Sequence, residues 1–204
     1  MRRLAQALLG HPSAYILSQR VLMATRPRYQ CVAELDVRPG HRVLDVGCGP
    51  AYYVPALPAS VEYHGFDTDA RYIDYARRHF GTRGTFHLAV YNDAERVKLP
   101  PFDRVLLMGL LHHLDDTEAH QLLDVLVRSL APGGTIITLD TCFDDELSAL
   151  QTFLAGQDRG RFVRTTGAFR ALAAQHFERV EGRLMPALVP VRMFFMKLAA
   201  PRAP

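Results

Sequence analysis

From Arg42 to Val54 the chain reads RVLDVGCGPAYYV: an apolar run carrying Asp45, then Gly47 and Gly49 one residue apart, then Tyr52 and Tyr53. Glycines at this spacing after an apolar strand let a ligand approach the backbone. A second carboxylate, Asp67, ends the next apolar stretch, VEYHGFD. An acid there can accept hydrogen bonds from the two hydroxyls of an adenine nucleoside's ribose. NAD satisfies both features, and two further residues decide against it. A dinucleotide turn wants a small residue three places after the second glycine, so that helix and strand pack closely and the pyrophosphate meets the helix start. This chain has Tyr52 there. Asp45 sets a negative charge just before the turn, ill suited to a pyrophosphate and well suited to an amino group and a sulfonium. Charge therefore favours S-adenosylmethionine over a nicotinamide cofactor.

Methyl transfer needs little from the protein beyond alignment of nucleophile, methyl and sulfur with exclusion of water, plus a base where the nucleophile must lose a proton. His112 and His113, in LLHHLDD, are the candidates for that base, because imidazole titrates near neutral pH. The competing reading has one ring packed in the loop and the other capping, or paired with Asp115 or Asp116. The pair lacks further ligands at metal-binding spacing. Arg159, Arg161 and Arg164, in QDRGRFVRT, are candidates for holding a carboxylate or phosphate of the acceptor, the alternative being a solvated loop. Tyr15, Tyr29, Tyr52 and Tyr53 are candidates for an acceptor pocket, or for ordinary core. LPPFD is similar to the proline-aromatic motif that holds a flipped base, but Leu99 replaces its polar residue and the segment precedes a strand instead of following it. Nucleobase methylation is disfavoured.

The elements that must position these residues alternate. HRVLDVG, VEYHGFD, TFHLAV, FDRVLLMG and GTIITLD are short β-rich runs, with helix patterns ARYIDYARRHF and Asp115 to Leu130 in the intervals. Parallel strands with right-handed crossovers follow, giving a sheet covered by helices on both faces. ERVEGRLM and VPVRMFFMKLAA, joined by a short proline-flanked link, read as an antiparallel pair. Ahead of the first strand, apolar residues three and four apart suggest one or two helices, interrupted near Pro27.

With 204 residues, 49% hydrophobic and 22% charged, the chain has the composition of one ordinary globular domain, and no linker marks a second. Residues 1–38 read as a helical cap and 39–204 as a Rossmann-like core. A net charge of +3 is too mild to argue for nucleic acid. The charge is uneven, however: Arg2, Arg3, Arg20, Arg26 and Arg28 precede the first acid, Glu34, and Arg183, Arg192, Lys197 and Arg202 follow the last, Glu181. Basic ends are compatible with peripheral contact to anionic lipid, and a non-catalytic binding protein of that kind is one alternative reading, a nicotinamide-dependent oxidoreductase whose turn tolerates Tyr52 being the other. Cys31, Cys48 and Cys142 are odd in number and widely spaced, which fits reduced thiols and a cytoplasmic location. The Arg-rich start is broken by Gln6, His11 and Pro12 before it reaches the length of a signal-peptide core.

Taken together, VLDVGCGP, the acid of GFD, LPPFDRVLLMGLLHHLDD and SLAPGG, in that order, resemble the class I S-adenosylmethionine-dependent methyltransferases. VEYHGFDTDARYIDYARRHFG and QDRGRFVRT look like a small bacterial subgroup. The resemblance implies a seven-stranded, mostly parallel sheet with its last strand antiparallel, and an N-terminal helical lid. It implies that Gly47 and Gly49 line the methionine part of the cofactor, that Asp45 orients the turn and the amino group, and that Asp67 holds the ribose with Thr68 beside the adenine. Met108 and Gly109 would pass under the ribose and methionine. The family's adenine-contacting acid corresponds to Val90 or, by the register chosen here, to Asp93. Ala51 stands where the family often has a third glycine, which implies loss of the freedom to adopt positive φ. The implied reaction is methyl transfer, to oxygen first of all, on a small-molecule or lipid-linked acceptor.

Overall fold

The computed structural model describes residues 25–143, 162–185 and 192–202. Strands β1 (Arg42–Val46), β2 (Glu62–Asp67), β3 (Thr85–Leu88), β4 (Phe102–Met108), β5 (Leu130–Phe143), β6 (Arg164–Thr165), β7 (Phe177–Met185) and β8 (Arg192–Pro201) form one sheet. Its order is β3-β2-β1-β4-β5-β8-β7, with the two-residue β6 beside the end of β5. The first five strands run parallel, and β8 lies antiparallel to both β5 and β7. The expected mostly parallel Rossmann-like sheet is therefore present, with β6 added to the expected seven strands. The expected N-terminal lid falls largely outside the described residues; of it, helix α1 (Thr25–Ala33) is described.

Buried central strands explain the near-continuous apolar runs, since both faces must be covered. Neighbouring residues alternate between two cores, one on each face. Val43, Leu106, Ile137 and Phe195 join Cys31, Tyr52, Tyr63 and Ile73, whereas Leu44, Leu107, Ile136 and Phe194 join Leu111, Leu123, Leu126 and Phe169. The parallel strands β1 to β5 place their carboxyl ends along one edge of the sheet, between these two apolar layers.

Side-chain caps fix where the crossover helices begin. Asp69 accepts from Arg71 N–H at the start of α2 (Ala70–Phe80), and Asn92 accepts from Glu95 N–H at the start of the single-turn α3 (Asp93–Arg96). Asp115 and Glu118 form a capping box on α4 (Asp116–Ser129), and Thr165 caps α5 (Thr166–Ala174). The helix read from Asp115 to Leu130 is thus shorter at both ends, Asp115 serving as its cap and Leu130 opening β5. The chain after α1 is anchored by cations from the sheet: Arg104 donates to Leu35 O at 2.7 Å, Lys197 to Glu34 O at 3.1 Å, and Arg183 pairs with the Glu34 carboxylate while stacking on Phe195. Two of the C-terminal basic residues are thereby engaged within the chain.

Candidate active site at the carboxyl edge

β1 ends at Val46, and the chain turns through Gly47 at φ +75° and Gly49 at φ +54°. The turn is tied to β2: Gly47 and Cys48 N–H both donate to Phe66 O, at 2.8 and 3.0 Å. Asp67 completes the tie, one carboxylate oxygen accepting from Gly49 N–H and the other from Asp69 N–H, each at 2.8 Å. A single side chain thus joins the glycine turn to the cap of α2. Burial raises the Asp67 pKa against the lowering effect of these backbone donors. Two occupied oxygens still have lone pairs for further donors.

Ala51 corrects the expectation made for it. It is fully buried and sits at φ +59°, so the turn keeps the left-handed residue without the glycine. Such a conformation costs an alanine about 1–2 kcal/mol, which the buried surroundings must offset. Tyr52 and Tyr53 follow, packed edge to face with Tyr52 stacked on Tyr29 from α1. They belong to the core, although the Tyr52 hydroxyl is buried without a hydrogen-bond partner. Tyr15 lies outside the described residues.

Beneath the turn, Asp45 is 1% exposed. One oxygen accepts from the Tyr63 hydroxyl at 2.7 Å, and the other has no partner. Burial, resisted by the Tyr63 bond and reinforced by nearby Asp67, pushes its pKa up to about 7. Burial and the same two acids also raise the Cys48 thiol well above its usual range.

The end of β4 supplies the neighbouring wall. Met108 is buried, and Gly109 at φ +82° bends the chain while its N–H donates to Leu139 O at 2.8 Å. Leu110 covers the glycine turn: a methyl added at Gly47 would lie 3.3 Å from its side chain. The 3-10 turn Leu111–His113 comes next. His112 is buried there, with Nδ1 2.8 Å from an Asp140 carboxylate oxygen that also accepts from His112 N–H at 3.2 Å. The second Asp140 oxygen is buried without a partner. Beside a carboxylate, Nδ1 is the ring nitrogen suited to donate, which leaves Nε2 for another partner. His113 is exposed, its ring 4.2 Å from that of His112.

Known proteins place this arrangement. A model described as a methyltransferase domain matches residues 43–134, from β1 to the start of β5. A methyltransferase, GfsG, from Streptomyces halstedii is 30% identical over 118 residues, 54% of this chain and 41% of that protein. A tRNA U34 carboxymethyltransferase from Azotobacter vinelandii is 30% identical over 153 residues, 72% of this chain and 46% of that protein. The chain thus spans less than half of either relative. Among solved structures, an O-methyltransferase family protein from Burkholderia thailandensis superposes with a TM-score of 0.69 at 18% identity, over 93% of this chain and 59% of that one. Residues 43–134 thus match a methyltransferase domain, and the sheet that contains them has the fold of the S-adenosylmethionine-dependent methyltransferases.

Within this domain the site residues read from the sequence separate into groups. Asp45, Gly47, Gly49, Asp67 and the exposed Thr68 gather at the carboxyl ends of β1 and β2, and Met108, Gly109 and His112 at that of β4. These residues fit the family's cofactor. The left-handed glycines open the backbone, Asp67 retains acceptor capacity, and the unpartnered Asp45 oxygen is a buried acceptor beneath the turn. Asp93 sits elsewhere in function: exposed at the start of α3, it pairs with Arg96 at 2.8 Å and with Arg128 of α4 at 2.7 Å. Val90, the other register, is 63% exposed beyond β3. Arg164 is bound to three backbone carbonyls and to Asp116. Arg159 and Arg161 lie outside the described residues. His112 pairs with Asp140 and not with Asp115 or Asp116, which serve the α4 cap and Arg164. Asp140 went unread, although it ends GTIITLD as Asp67 ends GFD: an acid closing a buried strand was the available signal. Tyr63, the partner of Asp45, carried none. Among the described residues no cluster of His, Cys, Asp or Glu is arranged to hold a metal ion, and no helix is long and apolar enough to cross a membrane.

Proposed function

We propose that the protein transfers the methyl group of S-adenosylmethionine to a hydroxyl of a small-molecule acceptor, with His112 as general base and Asp140 as its orienting partner. The observation that carries this reading is the buried His112–Asp140 pair at the carboxyl edge, with the His112 ring 3.7 Å from where a Gly109 methyl would stand. When bound, S-adenosylmethionine supplies a methyl on a sulfonium leaving group. Asp45, Gly47, Gly49, Asp67, Met108 and Gly109 would hold it. The chain's own task is then to orient the acceptor and take one proton. Nε2 of His112 accepts the hydroxyl proton while Nδ1–H stays bonded to Asp140, whose carboxylate stabilises the imidazolium. A positioned base of this kind contributes about 10²–10⁴ in rate. The likeness to an O-methyltransferase family protein supports oxygen as the atom.

The test uses S-adenosylmethionine labelled in the methyl group and a panel of phenols, hydroxy acids, amines and thiols. Transfer to hydroxyl compounds that falls about 10²-fold or more in His112→Gln, with S-adenosylhomocysteine affinity retained, is the expected result. Transfer only to amines or thiols, at a rate His112→Gln leaves alone, defeats the assignment.

A further inference from the structure

Arg164 makes a set of contacts that neither the cofactor nor an acceptor explains. Its side chain is 9% exposed although it stands on the two-residue strand β6. NH1 donates to Leu111 O at 2.8 Å and Phe162 O at 3.2 Å, and NH2 to Leu114 O at 2.8 Å. Nε and NH2 reach Asp116 Oδ1 at 3.0 and 2.7 Å, and the guanidinium lies 5.7 Å from the centre of the Phe169 ring. A guanidinium has five N–H groups, and five bonds engage them within the chain. Two of the carbonyls served, Leu111 O and Leu114 O, bracket His112 in the turn. His112 O itself accepts from Phe162 N–H at 3.1 Å, so three backbone oxygens of the turn are satisfied from residues 162–164.

We infer that Arg164 is a positioning residue: its guanidinium, with Phe162 N–H, locks the Leu111–Leu114 turn so that the His112 ring meets Asp140 with Nε2 directed at the reacting edge. The inference rests on His112 being the base. The turn is too short to hold itself, since its internal backbone bonds are limited to His113 N–H to Leu110 O at 2.9 Å and Leu114 N–H to Leu111 O at 3.3 Å. A few tenths of an ångström of drift would lengthen the 2.8 Å bond to Asp140 and tilt the imidazole. The planar fork matters as much as the charge. A lysine at this place keeps one donor group near Asp116 and cannot serve carbonyls of both Leu111 and Leu114 in fixed directions.

Arg164→Lys and Arg164→Gln test this in the intact chain. Imidazole ¹⁵N resonances of His112, assigned by their loss in His112→Gln, give its tautomer and titration midpoint without an acceptor in hand. Both variants are expected to shift that midpoint by about half a unit or more and to mix the tautomers. S-adenosylhomocysteine affinity should stay within about threefold, because the cofactor turn is held from β2. Free guanidinium added to Arg164→Gly should restore the wild-type His112 signals. Folded Arg164→Lys and Arg164→Gln proteins with an unmoved His112 tautomer and midpoint overturn the clamp. His112→Gln with undiminished methyl transfer overturns the base, and with it the catalytic meaning of the clamp, through a different measurement.

Discussion

Asp67 should fail in two separable ways when replaced, because its carboxylate ties the glycine turn to α2 and, on our proposal, also holds the cofactor's ribose. Both oxygens hold backbone donors, Gly49 N–H and Asp69 N–H at 2.8 Å. Both also have a lone pair left for a ribose hydroxyl. In Asp67→Ala the buried Gly49 donor loses its partner, which costs about 1–3 kcal/mol, and the Asp69 donor turns to water. For a domain of this size that lowers the melting temperature by roughly 2–12 °C. The ribose loses two hydrogen bonds to a charged acceptor, worth about 1.5 kcal/mol each at the low end, so S-adenosylhomocysteine affinity should fall about 100-fold. Asp67→Asn keeps one acceptor oxygen but turns an amide donor toward the other N–H. It should lose comparable stability and only about tenfold in affinity. Calorimetric titration with S-adenosylhomocysteine, paired with melts of the free protein, reads both effects. A folded Asp67→Ala protein that melts lower yet binds within about threefold of wild type refutes the ribose contact. An unchanged melting temperature refutes the tie between the glycine turn and α2.

The remaining predictions concern Asp45, Asp140 and the cysteines. Asp45 has its pKa raised from 3.8 to about 7 in the fold, so the folded chain holds this proton where the unfolded chain has released it. Its contribution to stability is therefore full below about pH 4 and declines as pH rises through 7. Asp45→Asn keeps an acceptor for Tyr63 and should flatten that decline, gaining up to about 4 kcal/mol at pH 8; parallel curves of melting temperature against pH for the two proteins would show the idea wrong. Asp140→Asn should lower methyl transfer about 10²–10⁴-fold with S-adenosylhomocysteine binding intact, because an amide can favour the tautomer whose Nε2 already carries a proton; equal transfer rates would remove Asp140 from the mechanism. Cys31, Cys48 and Cys142 are all buried, and the Cys48 thiol is held neutral by burial. A thiol reagent at pH 8 should react slowly with native protein and rapidly in denaturant, and a fast native phase would mean that a cysteine is accessible.

The glycine turn and the acid that ties it were legible because their constraints are local. Gly47 and Gly49 declare a turn through backbone freedom, and Asp67 declares itself by closing a strand, so spacing along the chain places all three. Ala51 shows the limit of that logic. Propensity argues against an alanine at φ +59°, and only the packing of a fully buried residue overrides it. Asp45 was read by charge alone, and its charge is the part the fold alters. A carboxylate facing Tyr63 under two layers of core is governed by desolvation, and desolvation depends on which strand lies alongside, here β2 with Gly65 opposite.

The histidine half required contacts that no spacing encodes. LLHHLDD offers two acids next to two histidines, and sequence proximity pairs them. In the fold, Asp115 is drawn to Glu118 N–H because a helix start has unsatisfied donors, and Asp116 is drawn to Arg164. His112 is left to Asp140 on the adjacent strand, 28 residues away. Arginine invites the same error. Its charge makes an anionic ligand the natural first reading of Arg164, yet a fork of five donors suits any cluster of oxygens, and backbone carbonyls around a short turn form such a cluster. These carbonyls belong to every residue type, so they leave no trace in composition. Only the parallel pairing of Cys142 with Arg164 brings the guanidinium within reach of them. The geometry at the carboxyl edge thus depends on backbone carbonyls as much as on side chains, and the sequence announces only the latter.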